Sequence, residues 1–199
     1  MTTCTTLLGL AVAPLGWVLM LTATVTPQWR EFPERPGYPQ DISFSDGLWE
    51  SCVEVTSIQG KVCQPLPQEM AVSWPIQLAR VLTVTSVLAG FLSYSLATAG
   101  VRWWAEHPNN CLAGISGLLH LLSGLAYLCA TSYMAYRILA DITNLQVPDE
   151  DKYRLGTCLY LGWSGGAAET FAGVCLATSF QGENSNRLMN LPPPYEVDY

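Results

Sequence analysis

CLAGISGLLHLLSGLAYLCATSYMAY, residues 111–136, decides the class of fold. The stretch holds no Lys, Arg, Asp or Glu, and besides tyrosine and cysteine its one titratable group is His120. A bilayer core about 30 Å thick is crossed by about 20 apolar helical residues, so the stretch is long enough to span. Three more share its character. Residues 7–25 carry no charge, residues 76–101 carry Arg80 near one end, and residues 155–180 carry Glu169 inside. The remaining charges collect between these stretches.

Over the whole chain 50% of residues are hydrophobic and 13% charged, where a soluble domain has about 25% charged. Lipid is therefore part of the solvent. Backbone groups left unpaired in lipid are costly, so each span is expected to be helical. The predicted fold class is membrane all-α, a four-helix transmembrane bundle. No Lys or Arg precedes Arg30, and the first apolar run is longer than a secretory h-region. It reads as a span rather than a cleaved signal peptide. No nucleic-acid partner is expected of a chain with net charge −7.

Orientation rests on redox chemistry. Basic residues are sparse in every connector and, counted plainly, vote weakly the other way. Cys52 and Cys63 lie in the long polar segment, and a disulfide persists only on the oxidising side of a membrane. That segment, residues 26–75, is therefore read as extracellular, with 137–154 as the second extracellular segment. Both termini are placed in the cytosol. Residues 181–199 are read as a cytosolic tail, expected to be disordered. Within 26–75, the four prolines between Pro27 and Pro39 predict an extended or irregular start. Ile42, Phe44 and Asp46 begin a strand-like passage, and Val53-Glu54-Val55-Thr56 alternates as a half-buried strand does. Gln59-Gly60 makes a turn, and Lys61-Val62-Cys63 returns. A Cys52–Cys63 disulfide would staple this hairpin, with a stabilisation of about 2–3 kcal/mol from closing a short loop. A brief helix is expected between Leu66 and Ile76.

Trp29, Gly47-Leu48-Trp49, Cys52 and Cys63 together resemble the signature of the claudin family, Trp…Gly-Leu-Trp…Cys…Cys. Peripheral-myelin-type proteins and calcium-channel gamma subunits share that signature. Three further matches favour claudins: Gln77-Leu78-Ala79-Arg80 entering span two, Lys152-Tyr153-Arg154-Leu155-Gly156 before span four, and Tyr160-Leu161-Gly162-Trp163 inside it. The resemblance covers residues 1 to about 180 and implies one claudin-type domain. It implies a small antiparallel extracellular β-sheet above a left-handed bundle. It also implies association with itself and other claudins, in cis and in trans, at tight junctions of the plasma membrane, without catalysis. Departures fall in the second extracellular segment. Asp141 is followed by Ile142-Thr143-Asn144 where many members carry aromatics, and Arg154 replaces an acidic residue. Ile142 and Tyr153 are the candidates there for contact across the gap.

Trp29 and Leu48-Trp49 are expected either to lie in the headgroup belt or to plug the sheet into the bundle; the second reading is favoured because Trp49 stands so near Cys52. Residues 26–76 carry three basic and seven acidic side chains, 3 − 7 = −4. A ring of carboxylates would pass cations, but Gln64 stands just after the second cysteine, and a seal is slightly favoured over a cation path. Glu169 is expected to meet His120. From boundaries at Phe180 and Cys111 their depths differ by about 3 Å at 1.5 Å per residue. A proton relay, transporter or enzyme is the sharper reading of that pair, but a single pair without a metal cluster argues against it. No cofactor is expected. Gly162/Gly166 and Ala113/Gly117 are spaced for close helix packing. Cys111, and less so Cys4, are palmitoylation candidates. Pro192, Pro193 and Tyr195 form a Pro-Pro-x-Tyr ligand for WW domains. Val197-Asp198-Tyr199 is a weakened version of the family's PDZ-binding ending.

Overall fold

The computed structural model describes residues 4–32, 42–58, 60–101, 110–143 and 153–180. Helix α1 (Cys4–Val25) leads to strands β1 (Arg30–Phe32), β2 (Ile42–Asp46), β3 (Glu50–Val55) and β4 (Gly60–Pro65). A four-residue helix α2 (Gln68–Ala71), long helices α3 (Trp74–Val101) and α4 (Asn110–Thr143), strand β5 (Arg154–Leu155) and helix α5 (Thr157–Ala177) follow. The tail motifs at Pro192–Tyr195 and Val197–Tyr199, the turn residue Gln59 and Lys152 lie outside the described residues.

The four long helices form a closed ring of neighbours, α1 on α5, α5 on α4, α4 on α3 and α3 on α1. Close approaches fix their direction. Gly9 meets Cys175 and Gly16 meets Glu169; Gly90 meets Ser123 and Gly100 meets Ala113. In each pair one number rises as the other falls, so these neighbours are antiparallel. Gly117 lies against Ala177, and Gly162 against Thr131. The small residues singled out for close packing therefore sit at the α4–α5 and α3–α4 crossings: Gly117 lies against the backbone of α5, Gly162 and Gly166 against the side chains of Thr131 and Leu128, and Ala113 against Gly100.

Polarity in the bundle is inverted relative to a water-soluble protein. Thr83, Ser93, Ser116, His120, Thr131 and Glu169 have at most 0% of their surface exposed. Leu15, Val81, Leu88, Phe91, Leu92 and Leu122 are 57–65% exposed. Large apolar side chains pointing outward over such an area require an apolar surrounding. Helices α1, α3 and α4 are each long and apolar enough to cross a membrane. Helix α5, with 21 residues, is about 31 Å long at 1.5 Å per residue, but Glu169 and its glycines make it less apolar.

Three features go beyond the sequence reading. The proline-rich stretch holds a strand, because Arg30–Phe32 falls between prolines and keeps its N–H donors. Helix α4 runs on to Thr143, seven residues beyond the expected end of the span; at about 51 Å it projects well past a bilayer core. The short strand β5 was not anticipated. The sheet is antiparallel throughout, in the order β4-β3-β2-β1-β5.

Candidate functional site

The sheet and its seat on the bundle carry the residues of the sequence signature. Cys52 and Cys63 face each other directly across β3 and β4, and a disulfide joins them with Cα atoms 4.1 Å apart. Glu50 stands beside this bond; with both sulfurs bonded to each other, the trio retains a single carboxylate and is no metal centre.

The two tryptophans do one job in common. A helix leaves its last carbonyls without partners, and α1 ends at Val25 beneath the sheet. Trp29 Nε1 donates to the carbonyl of Ala23 at 2.7 Å, and Trp49 Nε1 donates to that of Thr24 at 3.0 Å. An indole suits the position because it combines a large apolar body with one donor and no acceptor. Trp29 is fully buried; Trp49 is 43% exposed. Trp29 and Leu48 thus anchor the sheet in the bundle, whereas Trp49 combines anchoring with an exposed ring.

Gly47 belongs to the tight turn between β2 and β3, closed by its N–H donating to the Glu50 carbonyl at 2.8 Å. A Cβ there would lie 2.5 Å from Pro27 Cα, so only glycine lets the turn rest on the chain leaving α1. Arg80, near the start of α3, donates from Nε to the Leu48 carbonyl at 2.7 Å. Its guanidinium lies 5.0 Å from the Trp49 ring centroid, a cation–π distance. Trp29, Gly47, Leu48, Trp49 and Arg80 therefore form one contiguous joint.

A second stitch was missed in the sequence. Gly156 N–H donates to the Trp29 carbonyl at 3.1 Å and Cys158 N–H to that of Gln28 at 3.0 Å. This satisfies the first turn of α5 with the chain that has just left α1. A Cβ on Gly156 would collide with the Gln28 carbonyl oxygen. The glycine in Leu155-Gly156 was visible; its partner was not. Ile142 and Tyr153 are half-buried and pack on the chain's own core. The Tyr153 ring lies 4.1 Å from that of Phe32 and 4.9 Å from the Arg30 guanidinium.

Deep in the bundle, His120 Nδ1 and Glu169 Oε1 are 2.6 Å apart and both residues are fully buried. Gly16 of α1 and Gly90 of α3 face Glu169, where a Cβ would come within 2.8 Å of its backbone nitrogen or its Oε1. All four helices thus converge on one carboxylate. Other polar bonds tie the same helices together: Ser123 Oγ donates to the Ser86 carbonyl, Tyr127 OH to that of Met20 and Trp17 Nε1 to that of Val87. No sequence signal marked Gly16 or Gly90. Cys4 and Cys111, the palmitoylation candidates, are exposed at the first turns of α1 and α4.

The chain matches the sequence profile of the PMP-22/EMP/MP20/Claudin family over residues 3–176, and it belongs to that family. It is 30% identical to human Claudin-7 over 200 residues, covering 95% of this chain and 92% of that one. It is 34% identical to human Claudin-23 over 174 residues, covering 87% of this chain and 59% of the longer relative. It is 29% identical to mouse Claudin-1 over 183 residues, covering 87% and 84%.

Proposed function

We propose that this chain is a structural tight-junction protein without catalytic activity. In this reading it crosses the plasma membrane four times as a left-handed bundle, with both termini in the cytosol. Its sheet stands in the intercellular space and associates with itself and other claudins, in cis and in trans. The observation that carries the reading is the joint itself: a disulfide-closed sheet locked to an apolar bundle through the family's signature residues. That arrangement presents a fixed surface for partners. The length of α5 and its place in the ring favour a fourth crossing. The disulfide favours an oxidising exterior for the sheet.

Between seal and cation path, the seal is favoured. Asp46, one of the acidic residues counted toward a negative pore, is buried and accepts a bond from Ser51 Oγ at 2.6 Å. Gln64, on exposed β4, is neutral. Contact across the gap through Ile142 or Tyr153 would use the half of each that their own core leaves open. Palmitoylation at Cys111 or Cys4, and WW and PDZ partners at the tail, belong to the same proposal. The test is transepithelial resistance with dilution potentials in a claudin-poor epithelial monolayer. A rise in resistance is expected, and a fall with cation preference would replace the seal by a path. An adhesive or auxiliary-subunit role without strands is the alternative, and freeze-fracture lacking continuous strands would establish it.

A further inference from the structure

A cleft of about 260 Å³ opens where the sheet meets the tops of α3 and α4. Two cations and two anions line it: Arg30 of β1, Arg137 of α4, Glu69 of α2 and Asp141 of α4. Among the described residues, none of the four forms an ion pair, the His120–Glu169 contact being the one found there. The Arg30 guanidinium lies over the Tyr153 ring, 4.9 Å from its centroid. Arg137 and Asp141 are one helical turn apart on the same face of α4 as Met134 and Ile138. Those two, with Met70 and Ile76, give the cleft an apolar floor.

Depth in the membrane is marked independently. Trp74, at the first position of α3, is 71% exposed and Tyr136 is 67% exposed. Exposed tryptophan and tyrosine at the ends of apolar spans settle at headgroup level. The cleft shares that level, because Ser73 and Pro75 flank Trp74, Arg137 follows Tyr136, and all three line it.

We propose that this cleft is a binding site for the zwitterionic headgroup of a phospholipid in the leaflet on the sheet side, with Arg30 and Arg137 holding the phosphate and Glu69 and Asp141 the quaternary ammonium. The balance of two positive and two negative side chains matches a phosphate–ammonium zwitterion. It does not match an anionic lipid, which would face two carboxylates. A guanidinium offers forked donors suited to phosphate oxygens, and carboxylates attract an ammonium that cannot donate. The apolar floor receives the start of the acyl chains. The volume lies below the range of about 300–1,000 Å³ used for whole small-molecule ligands, which suits a headgroup whose chains remain in the bilayer. Anionic lipids are concentrated in the cytoplasmic leaflet, so a zwitterion-selective cleft belongs on the other side, as the proposed orientation has it.

The experiment is native mass spectrometry of the full chain, released from detergent micelles doped with phosphatidylcholine, phosphatidylglycerol or diacylglycerol of identical acyl chains. Phosphatidylcholine should be retained about tenfold better than either, the worth of roughly one charge-assisted hydrogen bond. Arg137→Gln should lower its retention about tenfold. Asp141→Asn should lower it and narrow the preference over phosphatidylglycerol. The preference of the unsubstituted chain decides the matter even where a variant fails to fold. Equal or better retention of phosphatidylglycerol would overturn the proposal. So would indifference of phosphatidylcholine retention to both substitutions in a folded chain. Displacement of the lipid by free phosphocholine at the lipid's own concentration would overturn the lipid as occupant. None of these readouts depends on junction assembly.

Discussion

Replacing Glu169 by leucine tests how the bundle is held together. The substitution keeps volume and removes the carboxylate, leaving His120 fully buried with its Nδ1 partner gone. Leaving a buried polar group unsatisfied costs about 1–3 kcal/mol in water-soluble proteins. Interhelical hydrogen bonds in membranes average about 0.6 and reach about 1.7 kcal/mol, because the unfolded state in the membrane also finds partners. The convergence of four helices on this carboxylate places it at the upper end, so a loss of about 2 kcal/mol is expected for Glu169→Leu. In a chain of this size that lowers the unfolding midpoint by about 4–8 °C.

The diagnostic variant is His120→Leu combined with Glu169→Leu. Removing both partners of a buried pair and filling the space with apolar atoms is often neutral or stabilising, and the double variant should return to within about 1 kcal/mol of the parent. The assay is thermal unfolding of the full chain in detergent, followed by helical circular dichroism and by thiol labelling of buried Cys158 and Cys175. If the losses of the two single variants simply add in the double variant, the residues do not act as a pair. If Glu169→Leu alone leaves folding and trafficking to the cell surface unharmed, the buried carboxylate has no structural role.

The joint gives further expectations. Trp29→Phe should cost about 1 kcal/mol through its lost donor to Ala23, and Trp29→Ala about 3–5 kcal/mol through the cavity, both read from unfolding midpoints. Gly156→Ala and Gly47→Ala put a Cβ against backbone at Gln28 and Pro27, and each should reduce the yield of monodisperse protein more than Gly60→Ala does. Cys52→Ser with Cys63→Ser should lose about 2–3 kcal/mol, seen as faster proteolysis of the sheet. The parent protein treated with reductant should show the same acceleration, and an unchanged rate in both would remove the disulfide from the account.

The apolar runs made the bundle legible because lipid demands long uncharged stretches, and the β3–β4 hairpin was legible from its alternation and its cysteines. The partnership of His120 with Glu169 could be read because a carboxylate in an apolar span needs a neighbour at its own depth. Strand β1 was half legible: the prolines predict extended or irregular backbone, but the pairing of Arg30–Phe32 with β2 leaves no mark on the sequence. The end of α4 was misjudged because Arg137 and Asp141 mark where lipid stops, not where the helix stops. The stitch at Gly156 could not be read, since the Trp29 carbonyl it bonds lies far earlier in the chain and leaves no mark on composition. Gly16 and Gly90 were equally silent: one glycine among many says nothing until the helix facing it is known.

The two indole bonds to the end of α1 have a mechanical corollary. The sheet has no stalk on which to swivel. Its base is riveted to α1 by Trp29 and Trp49, to α3 by Arg80 and to α5 through Gly156. Tension applied at the sheet's outer tip therefore passes into three helices at once, and the sheet tilts only as the bundle tilts. Its azimuth and height relative to the bundle are inherited from how the helices lean, so changes in membrane thickness or curvature become changes in the tilt of the sheet.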